Sequence, residues 1–206
     1  MARLAEKYEN KQLCRKYLEM AEKTKKSFDE KFYNEEKHCL YDVLGDSKVR
    51  PNQLFALSLS HPIVDNAEIA EQVLSTVENK LLNKYGLKTL SSDEDGYVDV
   101  YEGSAYKRDS SYHQGITWPW LLGLYYDALK NTMIIEKNRT KRQELEEKIT
   151  KLVYTTKETF KSEMFERSSI GTISEIYDST EPYEERGAFA QAWSVAEIFR
   201  IVLNKR

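Results

Sequence analysis

The chain has 206 residues, 32% of them charged, and its 31 Lys and Arg against 34 Asp and Glu leave a formal net charge of -3. That even balance gives no general field for nucleic acid or an anionic membrane surface, while the length suffices for one domain with a buried core. No apolar leader core opens the chain and nowhere do about eighteen apolar residues run together, so neither a secretory signal nor a membrane span is expected, and a cytoplasmic location is.

From about Lys11 to Phe32, the residues Leu13, Tyr17, Ala21, Thr24 and Phe28 recur every three or four positions between Lys and Glu, which predicts a surface-lying helix with one buried stripe. Pro51 suits a first helical turn and the run to Leu59 carries few charges, predicting a buried helix. Asn66 can cap the next, whose stripe is Ile69, Val73, Val77 and Leu81, with Gly86 as a left-handed stop. Beyond a long loop, Thr117 to Tyr126 reads as a mostly apolar helix, and Thr140 as the cap of a highly charged one reaching about Phe165. The last helix, about Ala188 to Leu203, begins apolar.

Wet-faced and buried helices therefore alternate, as they do when inner and outer helices wind around a common centre, and the reading is an all-α, α/α toroid. Cys14 and Cys39 are too few for a disulfide framework and read as reduced packing residues. Asn138-Arg139-Thr140 fits a glycosylation triplet, which carries no meaning without export.

Three stretches break the helical pattern: His38 to Asn52, Gly86 to Gly115 and Arg167 to Gly187. The middle one, at about thirty residues, is far longer than an ordinary helix connection, and ordered loops of that length are commonly functional. Each precedes a buried helix, so in a toroid all three gather at one mouth. They bring Arg50, Asp93, Asp95, Tyr97, Tyr101, Glu102, Asp109, Tyr112, His113, Gln114, Trp118, Glu175, Tyr177 and Asp178 to it. Aromatic faces stack on the C–H faces of sugar rings, while carboxylates, amides and Arg bind hydroxyls. Hydrolysis of a glycosidic bond needs two carboxylic groups flanking it. Asp93-Glu94-Asp95-Gly96 begins like a calcium loop, but its twelfth position is Ser104 rather than Glu, so no metal is expected, and no cofactor either.

Arg50-Pro51-Asn52-Gln53-Leu54-Phe55-Ala56-Leu57-Ser58-Leu59, Tyr85-Gly86-Leu87-Lys88-Thr89-Leu90, Tyr101-Glu102-Gly103, Arg108-Asp109, Tyr112-His113-Gln114-Gly115, Thr117-Trp118-Pro119-Trp120-Leu121, Ile173-Ser174-Glu175-Ile176-Tyr177-Asp178 and Ala190-Gln191-Ala192-Trp193-Ser194-Val195-Ala196-Glu197 follow one another in order. Together they resemble the C-terminal glucosidase domain of glycogen debranching enzymes, the amylo-α-1,6-glucosidases, from about Phe28 onward.

The resemblance implies an (α/α)6 barrel that removes, with inversion, the single α-1,6-linked glucose left at a trimmed glycogen branch. It makes Glu175 the general base. The family's general acid lies in a Trp-Met-Asp block that this chain does not contain, so residues 1–206 are expected to form roughly the C-terminal half of one barrel domain, in which the acid is missing. Asp109, His113, Gln114, Trp118, Trp120, Arg50, Gln53 and Trp193 are the implied substrate-binding residues, with α-glucan as the partner. Read from the residues alone, Glu175 can equally pair with Arg186 or cap a nearby amide, and Arg50 and Gln53 can tie their loop to the helices. The rival function is a non-catalytic, glucan-binding or self-associating helical module. A half-toroid exposes the apolar flanks of its buried helices, so a homodimer or pairing with an N-terminal half is expected.

Overall fold

Asparagine side chains start three of the four longest helices among the described residues. Asn10 accepts from the Leu13 amide ahead of α2 (Lys11–Lys31), Asn66 from Glu68 and Ile69 ahead of α4 (Ala67–Lys80), and Asn138 from Thr140 and Lys141 ahead of α7 (Arg139–Glu166). The last of these corrects the expected cap: Thr140 is the second helical residue, and the Asn138 side-chain oxygen two positions earlier takes the free amides. The computed structural model describes residues 1–167 and 170–203. Its remaining helices are α1 (Ala2–Lys7), α3 (Phe55–Ser58), α5 (Ala105–Ser111), α6 (Leu121–Ile135) and α8 (Ala192–Leu203).

Helix α6 is the centre of the packing. It touches α3 and α8 on two sides and lies against α4 and α7 behind, and α7 also meets α8. The short helix α3 with α6 and α8 thus forms one row, with the wet-faced α4 and α7 as a second layer. Arg200 of α8 ties to α6 by bonding Asp127 at 2.9 Å and the Gly123 carbonyl at 3.2 Å. Tyr126, Leu129, Ile149, Phe160, Tyr177 and Ile201 fill the space between the layers, each almost wholly buried.

Other expectations shift. The stripe of α2 is not buried: the helix has no fully buried residue and Leu13 is 39% exposed, because its main neighbour is the six-residue α1. The segment beginning at Pro51 is a 3-10 turn (Pro51–Leu54) followed by a single turn of α3. Among the described residues the chain is helical in the main but not all-helical. A hairpin joins β1 (Tyr33–Asn34) to β2 (Cys39–Leu40).

A second sheet runs β3 (Leu87–Lys88), β4 (Thr117–Trp118), β5 (Ile176–Tyr177) and β6 (Glu185–Arg186) in that order, all antiparallel. Thr117 and Trp118, expected as helix, are strand because both side chains favour extended backbone and Trp118 precedes Pro119, which disfavours the α region. Gly86 is not a left-handed stop. A β-carbon there would lie 2.4 Å from the Trp118 carbonyl oxygen, so glycine is needed for β3 to approach β4. In this way the sheet stitches the two longer irregular stretches together. Among the described residues no helix is long and apolar enough to cross a membrane.

Candidate active site

Glu175 stands one residue before β5, and its amide bonds the Ala188 carbonyl at 2.9 Å, extending the β5–β6 pairing. Its half-buried carboxylate accepts from the Tyr112 hydroxyl (2.6 Å) and the Gln191 amide (3.1 Å) at Oε1, and from the Ala188 backbone N–H (3.0 Å) at Oε2. Gly187, with φ of 70°, makes room, since a β-carbon there would lie 2.4 Å from Oε2.

Arg186 does not pair with Glu175. Its Nε and Nη2 reach Asp178 Oδ2 at 3.0 and 2.8 Å, which raises the guanidinium pKa, and the buried Asp178 also accepts from the Tyr101 amide at 2.8 Å. Glu175 is therefore held by neutral donors. Tyr112, in turn, is kept protonated well beyond the usual phenol range by burial and by the carboxylate it bonds.

From Tyr112 an aromatic array leads outward. Its ring meets Trp118 at 4.7 Å and His113 at 4.8 Å edge-on, and His113 lies parallel to Trp118 with centroids 5.4 Å apart. Trp118 meets Trp193 at 5.8 Å, Trp193 stacks on Trp120 at 5.4 Å, and Phe55 follows at 6.5 Å from Trp120. Trp118 is its buried member, 4% exposed, while His113, Trp193 and Phe55 reach the surface, Trp193 with 45% exposure.

On its other side Tyr112 lines an open hollow of about 500 Å³ with Tyr101, Ala105, Tyr106, Arg108 and Asp109. Asp109 is exposed on α5, and Tyr112 is the wall between it and Glu175. Arg50 reaches the Thr89 and His113 carbonyls at 3.1 and 2.8 Å and the Gln114 side chain at 3.0 Å. Gln53 is buried, accepting from the Leu40 amide and donating to the Arg50 carbonyl. The fold thus brings Glu175, His113, Trp118, Trp120 and Trp193 together, sets Asp109 across a shared wall, and uses Arg50 to hold His113 and Gln114, with Gln53 bonding Arg50 and Leu40.

Besides the buried Asp178, two further residues expected at the mouth lie elsewhere. Tyr177 is fully buried with its hydroxyl 2.9 Å from Glu163, and Asp93 is held down to about 2 by hydrogen bonds from Lys80 and Ser91. Gln191, Gly187 and Phe55 were not singled out from the sequence. For Gln191 and Phe55 the only signal was membership of a motif block.

A family model described as amylo-alpha-1,6-glucosidase matches residues 1–200. The chain belongs to the amylo-alpha-1,6-glucosidase family. The match reaches further toward the N-terminus than the resemblance read from about Phe28, and so takes in α1 and all of α2. Among the described residues, then, a carboxylate held by neutral donors stands beside aromatic rings of the kind that stack on sugar faces.

Proposed function

We propose that this domain hydrolyses the α-1,6-linked glucose at branch points of glycogen or a related α-glucan, with inversion and with Glu175 as the general base. The observation that carries the reading is the Glu175 carboxylate, fixed by Tyr112, Gln191 and Ala188 beside Trp118 and His113. No Arg or Lys ion pair ties it down among the described residues, so it stays free to take a proton from water. His113, Gln114, Trp120 and Trp193 face the glucosyl unit and its neighbours, while the buried Trp118 backs His113 and Trp193, and Asp109 lies across the Tyr112 wall. Arg50 contributes by holding the His113 carbonyl and the Gln114 side chain, and Gln53 by bonding the Arg50 carbonyl.

The row α3, α6, α8 backed by α4 and α7 supports a partial (α/α)6 toroid. The proton donor then comes from polypeptide outside these residues, and the domain works in the cytoplasm. The test is glucose release from a branched limit dextrin by the complete domain, which Glu175→Gln abolishes. Retained activity moves the base elsewhere.

One observation favours association alongside catalysis. Helix α8 turns Ser194 and Arg200 toward the body of the fold, yet leaves the apolar Ala192, Trp193, Ala196, Phe199 and Leu203 exposed. Such a face suits a second copy or an N-terminal half of the domain.

A further inference from the structure

A carboxylate offers about four acceptor positions, two on each oxygen. On Glu175, Oε1 takes two donors, the Tyr112 hydroxyl and the Gln191 amide, while Oε2 takes one, the Ala188 N–H. Since a carboxylate can only accept, the Gln191 side chain must turn its nitrogen toward it, and the Gln191 amide N–H is itself anchored on the Ile173 carbonyl at 3.0 Å. Tyr112 is equally fixed, because its backbone carbonyl accepts from the Trp118 indole N–H at 3.2 Å and its ring is clasped between Tyr101, His113 and Trp118. Two rigid donors thus saturate one oxygen. The unfilled acceptor position lies on the other oxygen, which has the single Ala188 donor and which the Gly187 backbone approaches so closely that a β-carbon there would stand 2.4 Å away.

We propose that Glu175 Oε2 is the oxygen that receives the proton of the attacking water, and that Tyr112 and Gln191 are positioning residues that hold Oε1 so that Oε2 faces the anomeric carbon. This deepens the general-base reading above and rests on it. In the step, the water oxygen bonds to the anomeric carbon and its proton passes to Oε2. The bond from that carbon to the leaving group breaks, its electron pair departing with the leaving group. Because burial and the carboxylate keep Tyr112 a phenol, its hydroxyl donates throughout the cycle and does not compete as a base.

Steady-state kinetics on α-D-glucosyl fluoride, measured with the complete protein, isolates this step, because fluoride leaves without needing a proton. Tyr112→Phe and, as a second near-isosteric variant, Gln191→Met are each expected to lower kcat about ten- to a hundredfold, the usual worth of a hydrogen bond to a charged group, with KM within about twofold. In a Glu175→Gln background Tyr112→Phe is expected to cost nothing further. Unchanged kcat in both single variants, a rise in KM alone, or losses that simply multiply with Glu175→Gln would overturn the positioning role while leaving the base in place. Full activity of Glu175→Gln would instead sink the base reading itself. Circular dichroism and melting of each variant separate misfolding from loss of position.

Discussion

Arg186 grips the buried Asp178 through two nitrogens, at 3.0 and 2.8 Å, and the same Asp178 accepts the Tyr101 amide at 2.8 Å. This removes from Glu175 the one cation adjacent to it on β6, and ties the long loop at Tyr101 to the strand that presents the base. Asp178→Ala leaves a guanidinium and an amide unsatisfied. We expect a loss of about 2–3 kcal/mol in urea denaturation, below the cost for a wholly buried pair because Arg186 remains partly wet. Asp178→Asn, which keeps an acceptor for Tyr101, should lose less. Equal losses for the two would show that the Tyr101 bond contributes nothing.

Glu163 at the end of α7 is buried against Glu185 of β6, with Tyr177 of β5 donating to it and Arg167 3.5 Å from Glu163 and 3.0 Å from Glu185. Burial first, and then the neighbouring Glu185, push Glu163 up to about 7 from its ordinary 4.5. The folded state therefore holds this proton more tightly than the unfolded chain. Its stabilising contribution is complete below about pH 4.5, declines as pH rises, and is gone above about pH 7. Thermal melts should show Tm falling from about pH 5 to about pH 8, with a slope of at most about 1.4 kcal/mol per pH unit, and Glu163→Gln should flatten the curve. An unaltered slope in the variant would rule the pair out as its source.

Much of the helical frame was legible because periodicity and caps are local. The stripe of α4 through Val73 and Val77 is buried as its spacing demands, and Asn66 caps where a short acceptor is needed. The four-stranded sheet was not legible, since strands of two residues carry no period and exist only through partners from distant loops. Leu87 pairs with Trp118, and Thr117 with Tyr177, across spans no local pattern encodes. The site divides the same way. Glu175 and the aromatic residues followed from motif blocks, but the Tyr112–Glu175 bond joins residues 63 apart, and the bonds from Arg50 to the His113 and Gln114 groups depend on how loops fold back.

The apolar outward stripe of α8 predicts that the 206-residue chain self-associates. Light scattering should give a mass above 24.1 kDa that rises with concentration. Phe199, 42% exposed, lies on that stripe beyond the aromatic array, so Phe199→Glu should return the mass to that of one chain without disturbing Glu175. A sharp monomer at all concentrations would leave the stripe without a covering copy and favour a different polypeptide as its partner.

Gly187 links the strand that carries Arg186 to the amide that holds Glu175. Its φ of 70° disfavours any side chain, and a β-carbon would sit 2.4 Å from Glu175 Oε2 and 3.0 Å from Ile176 Cγ1. Gly187→Ala therefore carries two penalties of different kinds. The backbone conformation should cost about 1–2 kcal/mol of stability, readable as a lowered denaturation midpoint. The clash should rotate the carboxylate off the Ala188 amide or move β6, so glucose release from limit dextrin should fall by more than the folded fraction alone explains. Activity that tracks the folded fraction would mean that Glu175 tolerates a shift in Oε2, and that the oxygen's placement does not govern the step.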